Sequence, residues 1–181
     1  MKKTICLAMI TVSSILSAQV IIGNDVGSAS NKTSVLLEFA QGENKGIILP
    51  YTRNLPTSPT EGTVLLDAEN ATTARIKYYN GSWIDLSGQD ADITAELAQQ
   101  PDTNQVTEDT GAKTIIGANN SAADGVLVLE SQTKALLLPT VENTDNIVNP
   151  SPGMLVFINK TGAKRLAVYN GSKWSYWQAS N

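Results

Sequence analysis

Short runs of Val, Ile, Leu and Tyr recur along the chain, separated by Gly, Pro, Asn and Ser. Apolar runs of this length between turn-forming residues are typical of β-strands and hairpins. In the first half of the chain the predicted strands are residues 19–22, 35–39, 46–49, 63–67, 75–79 and 82–86. In the second half they are residues 112–116, 126–130, 135–138, 154–159, 165–169 and 173–178. The sequence therefore predicts an all-β fold.

The second half of the chain repeats the first half in the same order. The repeated segments are 20–23 (VIIG) and 114–117 (TIIG), Leu37-Glu38 and Leu129-Glu130, 45–50 (KGIILP) and 134–139 (KALLLP), and 79–82 and 169–172 (both YNGS). Their offsets drift between 89 and 94 residues, as expected where loops differ in length and strands do not. We therefore predict two similar small β-modules, module 1 (residues 19–86) and module 2 (residues 114–181), joined by an acidic linker (residues 87–113).

Each module contains an Asn-Gly pair between two apolar runs, Asn80-Gly81 in module 1 and Asn170-Gly171 in module 2. Both residue types tolerate positive φ, which the two-residue type I′ hairpin turn requires. The pattern thus predicts structural turns at these four residues. A ligand-binding loop is the alternative for this shared motif, and the turn chemistry accounts for it better.

The linker is acidic, with six carboxylates and one lysine. A short helix from about Ile93 to Gln100 fits its spacing of apolar residues, with Asp92 as the N-cap and Pro101 as the end. A calcium site using Asp90, Asp92 and Asp102 is the alternative interpretation, but the glycine and closing glutamate of a calcium-binding loop are absent. We therefore expect a solvated connector.

The first 18 residues form a separate segment. Lys2 and Lys3 precede an uncharged, mostly apolar run over residues 5–16, and Ala18 offers a small residue for cleavage. This arrangement predicts a secretory signal peptide, residues 1–18. The apolar run is about 12 residues, shorter than the roughly 20 that a membrane-spanning helix needs. We therefore expect a secreted or cell-surface protein without a membrane span.

The composition of the mature chain excludes several kinds of catalytic and metal site. The only cysteine, Cys6, lies within the predicted signal peptide, and the chain has no histidine. Disulfides, thiolate catalysis, histidine metal sites and serine–histidine–acid triads are thereby excluded, and no cofactor or metal is predicted. Without Lys2 and Lys3, 11 basic residues face 17 acidic ones, and no basic stripe is present. This balance disfavours nucleic acid as a partner.

Three apolar runs lack the alternation of a strand with one face in water. They are residues 126–129, 135–138 and 155–158. Such runs require cover on both faces, which one small module cannot supply. The cover could come from the sister module or from other chains. We favour a homo-oligomer, and among homo-oligomers a trimer.

The order K-G-apolar-apolar-L-P, G-x-L-V-apolar, Y-N-G-x-x-W resembles a repeat found in secreted surface proteins of Bacteroidota-type bacteria and in trimeric phage tail-fibre modules. The matching residues are 21–23, 37–38, 45–50, 62–66, 79–81 and Trp83 in module 1, and 115–117, 129–130, 134–139, 153–157, 169–171 and Trp174 in module 2. Such repeats commonly carry Arg after the proline, where this chain has Tyr51 and Thr140. The resemblance implies a structural, fibre-like and surface-exposed role, and it implies no catalytic residues.

Catalysis and surface binding are the two alternative functions. Catalysis would depend on carboxylate pairs such as Asp67 with Glu69 or Asp124 with Glu130, and no feature of the sequence brings either pair into a cleft, so we predict that the protein is not an enzyme. Binding of a carbohydrate or another surface would depend on the late aromatic residues Trp83, Trp174, Tyr176 and Trp177. Those rings could instead pack across the hairpins. The sequence thus favours a secreted or cell-surface, fibre-like structural protein that acts through oligomeric assembly, with a polysaccharide-binding adhesin as the alternative.

Overall fold

The structure, a computed structural model, describes residues 19–177 except 102, 103, 108 and 110. The predicted signal peptide, with Cys6, lies outside the described residues, as do residues 178–181.

The described part of the chain consists almost entirely of short strands, which confirms the all-β prediction. The strands are β1 (Val20–Ile22), β2 (Val35–Phe39), β3 (Ile47–Ile48), β4 (Tyr51–Thr52), β5 (Val64–Asp67), β6 (Arg75–Tyr79), β7 (Trp83–Asp85), β8 (Thr114–Ile116), β9 (Leu127–Leu129), β10 (Ala135–Leu136), β11 (Thr140–Val141), β12 (Met154–Ile158), β13 (Arg165–Tyr169) and β14 (Trp174–Trp177). One α-helix, α1 (Thr94–Leu97), and a 3-10 turn (Thr144–Asn146) accompany them.

Every predicted strand position holds a strand, and most are a residue or two shorter than predicted. The sequence interpretation missed β4 and β11, which begin directly after Pro50 and Pro139. Two-residue strands carry no periodic pattern, and the proline masks their start because it has no N–H for a ladder. In the structure each of these prolines contributes its carbonyl instead, to Leu66 N–H (2.9 Å) and Phe157 N–H (2.9 Å).

The strands form four sheets, and the two modules exchange strands. The sheets are β1-β2-β10, β4-β5-β6-β7, β8-β9, and β11-β12-β13-β14 with β3 also paired to β12. Strand β3 of module 1 thus extends the main sheet of module 2, in antiparallel pairing. Strand β10 of module 2 pairs in parallel with β2 of module 1.

The main hydrophobic cluster draws on both modules and on the linker. It joins Leu66 and Ile76 of module 1, Ile93 of the linker, and Leu155 and Val168 of module 2. A second cluster lies within module 2 around Val156 and Ile158. The sister module therefore supplies part of the predicted cover, since the run 154–158 is buried apart from the half-buried Phe157.

The first part of the linker departs from the solvated connector that its charge predicted, whereas the described residues from 98 to 113 are mostly exposed, as expected. Ala91, Ile93 and Leu97 are buried in the shared core, because these three apolar residues face it while the carboxylates between them face water. Helix α1 is shorter than the predicted helix and begins after Ile93, which makes no side-chain cap. Asp92 instead accepts from Thr94 N–H at 3.0 Å and from Thr94 Oγ1 at 2.6 Å, which lowers the pKa of its carboxyl.

Both Asn-Gly pairs connect the strands of a hairpin, but the predicted type I′ turn is wrong. In module 1, Tyr79 pairs with Trp83, which leaves a three-residue connection rather than two. Gly81 has φ +72°, whereas Asn80 does not share the positive φ that type I′ requires at both central positions. In this register the Tyr79 and Trp83 rings lie directly opposite each other, where a cross-strand aromatic pair stabilises the hairpin.

The module 2 hairpin is longer still. Tyr169 pairs with Trp174, and Gly171 has φ +116° while Asn170 again lies outside the positive-φ region. Asn170 Oδ1 accepts from the N–H groups of Ser172 (3.0 Å) and Lys173 (2.9 Å). The side chain of Asn170, rather than its backbone, thus shapes this turn.

Candidate functional site

An open strand edge in module 2 is the feature of the structure best suited to bind a partner. Within residues 19–177 as described, strand β9 pairs with β8 alone. Thr114 N–H donates to Val126 O (2.8 Å) and Glu130 N–H to Ile116 O (2.9 Å), so the backbone groups of Leu127, which alternate with these, point to the other side. Val126 and Leu127 are 74% and 52% exposed. We call this side of β9 the open β9 edge.

The corresponding edge in module 1 is covered. Ala40 N–H donates to Ile22 O (2.8 Å), as Glu130 N–H does to Ile116 O, so this pairing makes Leu37 the structural counterpart of Leu127. The sequence repeat aligned Leu37 with Leu129 instead, and the strand pairing corrects that alignment by two residues. Strand β10 lies along that edge, and Leu137 N–H donates to Leu37 O at 2.8 Å. Leu37 is 1% exposed.

A buried carboxylate holds the loop before β2 in place. Glu38 is fully buried and accepts from the N–H groups of Ser28 and Ala29, both at 2.8 Å, and from Lys32 Nζ. Burial alone would raise the pKa of Glu38, but these hydrogen bonds and the lysine charge outweigh it and hold the pKa below its ordinary value. In module 2, Glu130 contacts Ser121 Oγ instead.

Two of the four predicted ligand-binding aromatic residues pack across their own hairpins. Trp83 meets Tyr79 edge-on, with ring centroids 5.3 Å apart, and Trp174 meets Tyr169 at 5.2 Å. Both tryptophans are half-buried. These contacts are the cross-strand pairs expected to stabilise a hairpin.

The other two aromatic residues, on β14, are more exposed. Tyr176 is 44% exposed, receives the Arg165 guanidinium over its ring at 4.4 Å, and has its hydroxyl 3.0 Å from Thr144 Oγ1. Trp177 is 46% exposed and donates its Nε1–H to Leu86 O at 2.6 Å. Because side chains alternate along a strand, Tyr176 and Trp177 face opposite sides of the sheet. The four residues thus belong to two hairpins and form no single cluster.

The acidic residues considered for catalysis make structural contacts. Asp67 forms an ion pair with Lys77 at 2.6 Å and also accepts from Glu69 N–H, and Glu69 accepts from Leu55 N–H. Asp90, considered for calcium, pairs with Arg75 at 2.7 Å. Within the described ranges, which omit Asp102, no three acidic, His or Cys side chains group as metal ligands, and no helix is long and apolar enough to cross a bilayer.

Comparison with known proteins adds one finding. Residues 115–181 match the family model of the phage tail like trimerisation region. The matched stretch is about a third of the chain, runs from β8 to the C-terminus, and includes the open β9 edge. No curated protein and no solved structure matches the chain. The match supports the resemblance to phage tail-fibre modules.

The open β9 edge was predictable from the sequence only in part. It identified the run 126–129 as needing cover on both faces, and the structure leaves Val126 and Leu127 of that run uncovered. It did not single out Leu127 or Ile48, because an apolar run shows that a strand needs a neighbour and does not show which strand the neighbour is.

Proposed function

We propose that this protein is a non-catalytic structural subunit that assembles with copies of itself into a fibre-like trimer outside the cell. The observation that carries the proposal is the open β9 edge, an apolar strand edge within the part of the chain similar to a trimerisation region. Exposed strand edges with apolar side chains are rare in monomers because they pair with other chains.

The rest of the molecule is consistent with a structural role. Of the carboxylates considered for catalysis, Asp67, Glu69 and Glu130 contact a cation, backbone N–H groups or a hydroxyl. Trp83 and Trp174 pack across their hairpins. Export is proposed from the signal-peptide pattern of residues 1–18.

The test is the molar mass of the purified protein in solution, by light scattering and by sedimentation over a range of micromolar concentrations. We expect three times the mass of the chain. A stable monomer over that range would contradict the proposal. Export is tested separately, by mass spectrometry of the N-terminus, where we expect a chain that starts near Gln19.

A second candidate function is supported by the exposure of Tyr176 and Trp177 on β14. Partly exposed aromatic rings can stack on sugars, so an adhesin that binds a cell-surface polysaccharide is the alternative. Binding to a panel of polysaccharides, measured for the natural protein and for Trp177→Phe and Tyr176→Ala, tests it. Loss of binding in Tyr176→Ala with unchanged molar mass would favour the adhesin.

A further inference from the structure

Two equivalent strands carry the contacts between the modules. These are β3, in the KGIILP segment, and β10, in the KALLLP segment, and we call them the exchange strands. By sequence, Ile47 corresponds to Leu136 and Ile48 to Leu137. Strand β3 pairs with β12 of the other module, and β10 with β2 of the other module.

In the part of the chain that the structure describes, each exchange strand pairs along one of its two edges. In β3, Ile47 lies opposite Leu155 and Leu49 N–H donates to Gly153 O (3.0 Å), so the backbone groups of Ile48 point the other way. In β10 the pattern is reversed: Leu137 N–H donates to Leu37 O, so the groups of Leu136 point away. The two exchange strands thus pair through opposite edges. In the described structure the edge of β3 that carries the backbone groups of Ile48 is free, whereas the equivalent edge of β10, at Leu137, is paired.

The surfaces that would receive these free edges are both present. The open β9 edge corresponds to the edge of β2 that β10 occupies. The first half of β5 corresponds to the part of β12 that β3 occupies, since Leu66 N–H donates to Pro50 O as Phe157 N–H does to Pro139 O. Val64, two residues before Leu66, directs its backbone groups to the same side, and in the described part of the chain no strand pairs with it there.

We propose that copies of the chain join by repeating between molecules the strand exchange seen within one molecule. Strand β3 of one copy pairs in parallel with β9 of the next copy, and β10 of that next copy pairs antiparallel with β5 of the first. Ile48 N–H of one copy then donates to Leu127 O of the next, and Leu136 of the next copy lies opposite Val64 of the first. The partner is a second copy of this chain, and the inference rests on the proposed function.

The exposure of the two strands supports this pairing. Ile48 is 52% exposed and Leu127 is 52% exposed, whereas the corresponding contact within the chain leaves Leu37 at 1%. In this register Leu127 lies opposite Ile47, as Leu37 lies opposite Leu136 within the chain. Ile48 lies on the other face of the sheet beside Val128, so both exposed side chains gain a neighbour. Because the two joined surfaces differ, the contact is head-to-tail, and it closes into a ring or continues as a filament. A ring of three copies would give the proposed trimer.

Cysteine cross-linking tests the pairing directly, since Cys6 is the only cysteine in the chain. In a Cys6→Ser background, Ile47→Cys and Leu127→Cys, which lie opposite each other in the proposed pairing, are combined and treated with a short bismaleimide. We expect covalent species of more than one chain, a trimer as the largest for a ring and a longer ladder for a filament. The matched control combines Ile47→Cys with Val148→Cys, because Val148 is 81% exposed and lies on neither edge.

A second measurement uses charge. Leu127→Asp should raise the dissociation constant of the assembly at least about tenfold in sedimentation, while Val148→Asp should leave it unchanged. Leu127 is exposed in the single chain, so Leu127→Asp should remain folded by circular dichroism.

The failure of this inference and the failure of the proposed function can be told apart. A natural protein that is monomeric overturns the proposed function, and the exchange with it. A natural protein that is oligomeric, with cross-linking no greater than in the Val148 control or with Leu127→Asp still fully assembled, overturns the exchange alone.

Discussion

Strands β2 and β9 occupy equivalent places in the two modules but have very different surroundings. Each pairs in parallel with the strand that precedes it, β1 or β8, through the same pattern of backbone hydrogen bonds. Strand β2 also pairs with β10, and Leu37 is buried. Strand β9 has no further partner among the described strands, and Leu127 is half exposed. The repeated sequence thus determines the pairs within a module, and the position of the module in the chain determines what covers it.

The hairpins show the same contrast. Asn170 is fully buried and donates its Nδ2–H to Gln89 O at 2.8 Å, which joins the module 2 hairpin to the linker. Asn80, in the same YNGS motif, is exposed. Module 2 is the later of the two modules, so its hairpin meets the linker that follows module 1, while the hairpin of module 1 meets solvent.

The largest expected effect comes from truncating the covered leucine. Leu37→Ala should lower the free energy of unfolding by about 2–5 kcal/mol, because a fully buried leucine leaves a cavity. Leu127→Ala should cost well under 1 kcal/mol in a dilute, monomeric sample, where the side chain is half exposed. Denaturant unfolding of both variants measures the difference. Equal losses in dilute samples would contradict the assignment of Leu127 to an open edge.

Much of the fold was predictable from the sequence, but little of the strand pairing between the modules or of the open β9 edge. Runs such as 75–79 and 165–169 predicted their strands with the correct ends, because the turn residues on both sides are strong signals. The exchange of β3 and β10 was not predictable, since strands of two residues carry too little pattern to specify a partner. The burial of Ile93 was also missed, because six carboxylates dominate the composition of the linker.

The next effect concerns the two hairpin glycines. Gly171→Ala should destabilise by about 2–4 kcal/mol, because an alanine at φ +116° is strained and its Cβ would lie 2.7 Å from Ile93 Cγ2. Gly81→Ala should cost about 1 kcal/mol, since φ +72° is unfavourable but the space around a Cβ is open. Thermal unfolding of the two variants compares them. A Gly81 variant as unstable as the Gly171 variant would show that the module 1 hairpin is also covered.

Replacing the hairpin asparagines should also destabilise the protein more in module 2 than in module 1, and the difference should be smaller than for the glycines. Asn170→Ala should cost about 1–3 kcal/mol, because it removes three hydrogen bonds and leaves the Gln89 carbonyl without this partner. Asn80→Ala, at an exposed position, should change stability by less than about 0.5 kcal/mol. Hydrogen exchange should further show faster exchange around residues 86–93 in the Asn170 variant only. Unaltered hydrogen exchange at residues 86–93 would show that Asn170 does not stabilise the linker.

The smallest expected effect concerns the ion pair between Lys32 and the buried Glu38. Lys32→Met removes the cation beside Glu38, and we expect a loss of about 1 kcal/mol or less at pH 7, because Lys32 is about one-third exposed and its charge is partly screened. The matched control is Lys45→Met, whose side chain is 79% exposed, with no resolvable loss expected.

The pH dependence of that loss follows from the lowered pKa of Glu38. A carboxyl whose pKa is lower in the folded state stabilises the fold above its unfolded-state pKa of about 4.5, and this stabilisation disappears as the pH falls through the folded-state value. The difference between the natural protein and Lys32→Met should therefore be complete at neutral pH and shrink below about pH 4.5, as Glu38 becomes protonated and no longer attracts the lysine. Denaturant unfolding from pH 7 to pH 3 measures this, and a difference that persists unchanged at pH 3 would show that Lys32 acts through packing of its side chain rather than through its charge.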